Sequence, residues 1–293
     1  MILQQLLNGI MLGGTYALLA LGYTLIFGIL RMLHIAHGEV FMVGALIGLN
    51  LVLLAGVNIY LALLGGLIGA ALVGILVERV AIRPLRREGQ PLPLLAPLIS
   101  TLGVGLILQD LAVKYYGGRQ VRFPETIEVV SYQLGPVVVT SVQVIIILTS
   151  LLLMVTLNLF LRGNVMGKAM RAVAENARTA SLLGININRV ILLTFAIASG
   201  LAGAAGVLVG LTYGAISPFM GVEIGLKGFA IVVIGGLGSI VGAMVAGLAI
   251  GLVEVLSVGY LVSLYRDAFT FGFMVLVLLL RPQGLFGVEG RDG

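Results

Sequence analysis

The sequence predicts an all-α integral membrane protein, a polytopic bundle of about eight or nine transmembrane helices, some of them broken. Three observations predict it. Of 293 residues, 60% are hydrophobic and only 10% charged, whereas a soluble domain carries about 25% charged residues. The apolar residues gather into windows of about 20, the length a helix needs to cross roughly 30 Å of hydrocarbon. The 42 glycines suit helices that pack backbone to backbone in lipid.

In chain order the windows cover 3–30, 39–57, 60–80, 94–113, 142–161, 190–212, 225–256 and 260–280. The first and seventh are long for one crossing. Gly235-Gly236-Leu237-Gly238-Ser239 is expected to break the seventh into crossings over 218–236 and 238–256. Basic residues orient the chain, because cytoplasmic loops are rich in Lys and Arg. They fall in three groups: Arg79, Arg83, Arg86 and Arg87; Arg162, Lys168, Arg171 and Arg178; and Arg281 with Arg291. An even number of crossings must separate any two groups on one side. Two windows separate the first pair of groups, and the second pair obeys the rule only if the seventh window is broken. The same parity puts the N-terminus, which has no Lys or Arg before Arg31, on the outer face.

Residues 1–293 therefore read as a single transmembrane domain with no cleavable signal peptide, since a basic n-region is missing and the first apolar stretch is too long. The net charge of +5 belongs to the loops and implies no nucleic-acid partner. With no cysteine, disulfides, thiolate metal sites and cysteine nucleophiles are excluded.

A polar island over 163–189 separates two of the windows. Lys168, Arg171, Glu175 and Arg178 follow at spacings that draw one charged stripe down an α-helix. Met170, Val173, Ala174, Ala177 and Ser181 fall opposite, and Gly184 supplies a left-handed stop. One amphipathic helix of about four turns, near 167–184, is expected here, too short and too charged to span. It either docks on a partner or rests on the membrane surface, although its apolar side lacks the bulky anchors of interfacial helices. The largest external loop, 115–141, holds Arg119, Arg122, Glu125 and Glu128. It is either a partner contact or a solvated connection.

The densest polar group beside a span is Arg31-Met-Leu-His34-Ile-Ala-His37-Gly38-Glu39. Two histidines three apart with a nearby glutamate make a metal site conceivable, but zinc proteases space theirs four apart, and the chain has no third histidine. A helix interruption lining a cavity fits better. A second interrupted region runs from Ser217-Pro218 through Gly221, Glu223, Lys227 and Gly228 to Gly235, Gly236 and Gly238, with Glu223 and Lys227 placed to pair at i,i+4. Interrupted segments in the two halves of a membrane protein point to a transport path. His34, His37, Gly38, Glu39, Phe41, Gly221, Glu223, Gly235, Gly236 and Gly238 are the candidates to line it. Elsewhere, Glu254 is placed to meet Arg266, and Asn8, Gln109 and Asn158 are expected to bond between helices. No acidic residue stands out at mid-depth as an ion-coupling group, and no Walker A sequence is present. A transporter with neither motor borrows one.

Several motifs in order carry a family resemblance. They are Asn8-Gly9 to Gly13-Gly14-Thr15-Tyr16-Ala17-Leu18; His34-Ile-Ala-His37-Gly38-Glu39; Arg171-Ala-Val-Ala-Glu175-Asn176 to Ala180-Ser181-Leu182-Leu183-Gly184-Ile185; Gly228-Phe229-Ala to Gly235-Gly236-Leu-Gly238-Ser239-Ile-Val-Gly242-Ala243; and Arg281-Pro282-Gln283-Gly284-Leu285-Phe286-Gly287. Over nearly its whole length the chain resembles the permease subunits of ABC importers for branched-chain amino acids, a group that includes urea and short-chain amide permeases. The resemblance implies a non-enzymatic membrane subunit working with a second homologous permease subunit, two cytoplasmic ATPase subunits and a periplasmic binding protein. ATP and Mg would sit on the ATPase subunits, and this chain would bind no cofactor or metal of its own. It further implies that Lys168, Arg171, Glu175, Arg178, Ser181, Leu182 and Gly184 belong to a coupling helix docked on the ATPase. The expected location is the inner membrane. The readings against it are an ion-coupled secondary carrier and an intramembrane enzyme at His34, His37 and Glu39. Leucine, isoleucine and valine, or urea and short amides, remain open as substrates.

Overall fold

The computed structural model describes residues 2–86, 95–124, 129–260 and 265–287. Its helices are α1 (Ile2–Leu30), α2 (His37–Ala55), α3 (Ile59–Val77), α4 (Leu95–Tyr116), α5 (Ser141–Gly163), α6 (Val165–Glu175), α7 (Ala177–Leu182), α8 (Ile187–Tyr213), α9 (Met220–Gly235), α10 (Ile240–Tyr260) and α11 (Arg266–Leu280). Helix α3 runs on through a π turn to a short 3-10 turn, Arg83–Leu85, with Pro84 near its start. Among the described residues, seven helices are long and apolar enough to cross a membrane: α1, α2, α3 with its extension, α4, α5, α8 and α10. Helices α9 and α11 have 16 and 15 residues, roughly 24 and 22 Å of helix, less than a full crossing. The chain is a multi-pass membrane protein: of the eight or nine crossings expected, seven are long enough among the described residues, and α9 and α11 are shorter helices.

The expected break in the seventh window separates α9 from α10. Gly236 and Gly238 take positive φ there, +99° and +86°, a region that costs a residue with a Cβ but not glycine. The remaining ladder ends of α9 are occupied by the segment after α11: Leu285 N–H donates to the Ile234 carbonyl at 2.7 Å and Phe286 N–H to that of Gly235 at 3.1 Å.

Three short pairings mark one face of the bundle. The Gln4 side chain exchanges hydrogen bonds with backbone N–H and C=O of Val138. Strands β2 (Ser131–Leu134) and β3 (Val137–Thr140) form an antiparallel hairpin in the large loop. In the same loop β1 (Val121–Arg122) pairs with β4 (Ala215–Ile216), which follows α8. The N-terminus, the loop after α4 and the end of α8 therefore share a face, as the charge parity requires. Arg87, Arg291, Glu125 and Glu128, named above for the charge pattern, lie outside the described residues.

No internal repeat is evident in the sequence, yet the two ends of the chain follow one plan. A long helix (α1 or α8) is followed by an irregular segment (31–36 or 214–219), then by a helix that begins inside the bundle (α2 or α9), then by another long helix (α3 or α10). Helix α1 starts at the face where α8 ends, so the halves run in opposite directions. They are also interlocked, since α1 packs most extensively on α10, and α3 on α8. Glycines permit both approaches. A Cβ at Gly13 would come 3.0 Å from the Gly247 carbonyl oxygen, and one at Gly203 would run into that of Gly66. In lipid this close backbone packing replaces the hydrophobic drive available in water.

Candidate functional site

The two helices that begin inside the bundle meet at their starts. After α1, Arg31 turns the chain through a left-handed φ of +50°, and residues 32–36 climb back between helices before α2 begins. Gly38, in the first turn of α2, lies against Gly221 in the first turn of α9. A Cβ on Gly38 would collide with the Gly221 carbonyl oxygen and stand 2.9 Å from the Cα of Gly225. Neither start has a side-chain cap, the N-cap residues being Ala36 and Phe219. By contrast α3, α5, α6, α7 and α8 are capped by Asn58, Thr140, Asn164, Asn176 and Asn186. Uncapped first-turn N–H groups leave the positive end of each helix dipole directed at the junction.

A cavity of about 400 Å³ opens beside that junction, in the size range of small-molecule sites. Leu33, Leu102, Leu106, Leu226 and Phe229 give it apolar walls, and His34, Glu39, Gln109 and Gly221 are its chemically specific edge. Glu39 is only 5% exposed. Its carboxylate fits because two glycines flank it, Gly221 on α9 and Gly105 on α4, whose Cβ positions would strike or touch the Glu39 side chain. Glu39 Oε2 and both ring nitrogens of His34 are buried with no hydrogen-bond partner among the described residues. Buried polar groups normally have one.

The other candidate path residues are dispersed. His37 is fully buried and packs edge-on to Tyr23, ring centroids 4.5 Å apart, behind the cavity wall. Phe41 is fully buried one turn further along α2, its carbonyl against Gly206. Glu223 is exposed and does not line the cavity. Gly235, Gly236 and Gly238 sit at the far end of α9, against residues 284–287 and Gly28, where they serve the turn and the tail. No group of three metal-ligating side chains occurs among the described residues.

The pairing of Glu223 with Lys227 is replaced by a longer-range one. Lys227, 3% exposed, donates to both carboxylate oxygens of Glu254 at 3.1 Å and lies 2.8 Å from Asp267 Oδ1. Arg266 Nε reaches Glu254 at 3.2 Å, the contact expected from sequence, and the Tyr16 hydroxyl donates to the same carboxylate at 3.1 Å. Four helices, α1, α9, α10 and α11, thus converge on Glu254, itself 1% exposed. Sequence reasoning treated Lys227 as locally paired and missed this buried cluster. The available signal was a lone lysine amid an apolar run, which needs a partner from elsewhere. Of the three amides expected to bond between helices, Asn8 does so, accepting from Gln143 at 2.8 Å.

On the face opposite the β2–β3 hairpin, the polar island is two helices, not one. Asn176 takes an extended conformation (φ −154°, ψ 104°), ends α6 and caps α7 by accepting from Thr179 N–H. Lys168, Arg171, Glu175 and Arg178 all remain exposed, as do Ser181 and Leu182. The apolar side is not free, however: Met170 and Val173 are buried against the bundle itself. What projects instead is a pair of leucines, Leu182 and Leu183, 82% and 76% exposed. They are held out by a left-handed stop at Gly184 (φ +82°), where Ile185 N–H returns to the Ala180 carbonyl and Gly184 N–H to that of Ser181.

Known proteins match this sequence, some of them along nearly its whole length. The chain is 41% identical to the high-affinity branched-chain amino acid transport system permease protein LivH of Salmonella typhimurium, over 97% of this chain and 95% of that one. It is 39% identical to BraD of Pseudomonas aeruginosa, described as the same kind of permease protein, over the same shares. It is also 32% identical to LivM of Escherichia coli over half of this chain and 35% of that one. The profile of the family described as branched-chain amino acid transport system, permease component, matches residues 5–278, and the chain belongs to that family of membrane transport subunits.

Proposed function

We propose that this chain forms one half of the path through which an ATP-driven importer carries branched-chain amino acids across the inner membrane. Its partners are a second, homologous permease subunit, two cytoplasmic ATPase subunits and a periplasmic binding protein. The observation that carries the reading is the largely apolar cavity of about 400 Å³ at the junction of two interrupted helices, in a chain 41% identical to LivH over 97% of its length. An aliphatic amino acid needs largely apolar walls with few polar groups, since a site rich in fixed charge would hold it too long to pass on. This chain is not an enzyme and takes no cofactor; ATP and Mg bind the ATPase subunits.

Residues 165–184 are the coupling segment. Leu182 and Leu183 enter a groove of the ATPase while Lys168, Arg171, Glu175 and Arg178 meet its polar rim. Met170 and Val173, packed on the bundle, make the segment a rigid lever. ATP binding favours one arrangement of the ATPase pair, and the docked lever biases the bundle toward the matching state.

Two measurements test the proposal. Deleting the subunit should abolish uptake of labelled leucine and spare urea; lost urea uptake with leucine intact would overturn the substrate class. Reversing Arg171 and Arg178 together to Glu should release the ATPase and stop uptake. Normal association and uptake would remove the coupling role.

A further inference from the structure

We infer that the cavity at the junction of α2 and α9 is a zwitterion-binding station, with Glu39 holding the ammonium group of an α-amino acid. The inference rests on the transport function proposed above and assigns chemistry within it. Three independent features converge on one space. The first is Glu39, a buried carboxylate with an unpartnered Oε2, on the cavity wall. An acid in a membrane interior ordinarily pairs with a base, and in this chain Glu254 does so with Lys227 and Arg266. Glu39 has no such base among the described residues, so a cationic group arriving with the ligand completes it.

The second feature is what keeps Glu39 tolerable while the station is empty. It lies in the first turn of α2 and against the first turn of α9, so two dipole ends offset its charge. The first-turn N–H groups of Glu39, Gly221 and Val222, residues that line the cavity, supply donor capacity for a carboxylate together with the unpartnered His34 ring. The third feature is the apolar remainder. Leu102 and Leu106 from α4, with Leu226 and Phe229 from α9, receive an aliphatic side chain. Urea and short amides bring neither an ammonium nor a branched alkyl group, and they leave both Glu39 and this wall unused. With a single acid and no opposing fixed base, the station makes only one contact between full charges, to the ammonium group, enough to orient the ligand and weak enough to release it.

The test uses the complete importer, with both permease subunits, the ATPase subunits and the binding protein, in sealed vesicles loaded with ATP. Labelled leucine uptake is read alongside basal ATP hydrolysis and subunit assembly. Glu39→Gln keeps the shape and removes the charge; it should lower uptake at least about tenfold while the subunits still assemble in normal yield. Glu39→Asp keeps the charge and should retain clearly more uptake than Glu39→Gln. If Glu39→Gln transports leucine within about twofold of the unaltered importer, the assignment is wrong although the importer function stands. Equal loss in both variants would mean that charge is not what the position supplies, and also overturns it. An unaltered importer that takes up no leucine refutes the underlying function and the station together.

Discussion

Glu254 is the side chain whose removal should damage the bundle most. It is 1% exposed and accepts from Lys227 and Tyr16 and pairs with Arg266, at 3.1 to 3.2 Å. With Asp267 the cluster holds two acids and two bases and is neutral. Glu254→Leu leaves it with a net positive charge, Lys227 reduced to one contact with the partly exposed Asp267, and the Tyr16 hydroxyl with only Tyr213, 3.4 Å away. Breaking a buried pair from one side costs about 3–5 kcal/mol. Lys227→Met should cost less, roughly 2 kcal/mol, because Glu254 keeps Arg266 and Tyr16. Asp267→Asn, at a carboxylate 62% exposed, should cost under about 1 kcal/mol. At about 2–4 °C per kcal/mol for a chain of this size, Glu254→Leu lowers the midpoint on the order of 10 °C. The assay is thermal loss of the monodisperse peak of detergent-purified protein. The double variant Lys227→Met with Glu254→Leu restores neutrality, so its cost should fall short of the summed single costs by about 1–3 kcal/mol. Strict additivity, or a Glu254→Leu midpoint like that of the unaltered protein, would refute the cluster as the bundle's central ionic contact.

Other consequences are equally direct. Gly38→Ala and Gly221→Ala each force a Cβ into a backbone carbonyl or the Glu39 carboxylate, and should sharply reduce the yield of folded protein. Gly103→Ala, with open space around it, should be neutral in the same expression assay. Asn176→Ala removes the cap that separates α7 from α6, at about 1 kcal/mol; amide exchange of 177–182 should accelerate while that of the α6 turn holding buried Met170 and Val173 is unaffected. Gly184→Ala imposes a left-handed Cβ at φ +82°, costing roughly 1 kcal/mol, and should lower uptake through the same segment.

The long spans and the broken seventh window were legible because lipid imposes length and charge asymmetry on any sequence that crosses it. The Glu254–Arg266 contact and the exposed charges of 168–178 were legible too. Three features were not. Glu223 and Lys227 have the spacing of a helical pair, yet that rule holds for a solvated face, whereas Lys227 points inward to an acid on another helix. Asn176 interrupts a charge stripe whose spacing continues undisturbed, so periodicity alone hid the break; the cap preference of asparagine was the overlooked sign. His34 and Glu39 lay in the group singled out from sequence, but only the fold brings Leu102, Leu106 and Gly221 to them. The glycines of 235–238 looked equivalent to Gly221, and tertiary placement alone separates a cavity edge from a turn.

The exchange of partners between the two ends of the chain has a consequence for biogenesis. The first helix to leave the ribosome finds its main companion only after synthesis has passed residue 240. Until then its glycine-bearing stripe stays unoccupied in the bilayer or shielded by insertion machinery. Fragments cut between α5 and α8 should therefore be unstable separately and recover on co-expression, because neither carries a complete set of neighbours.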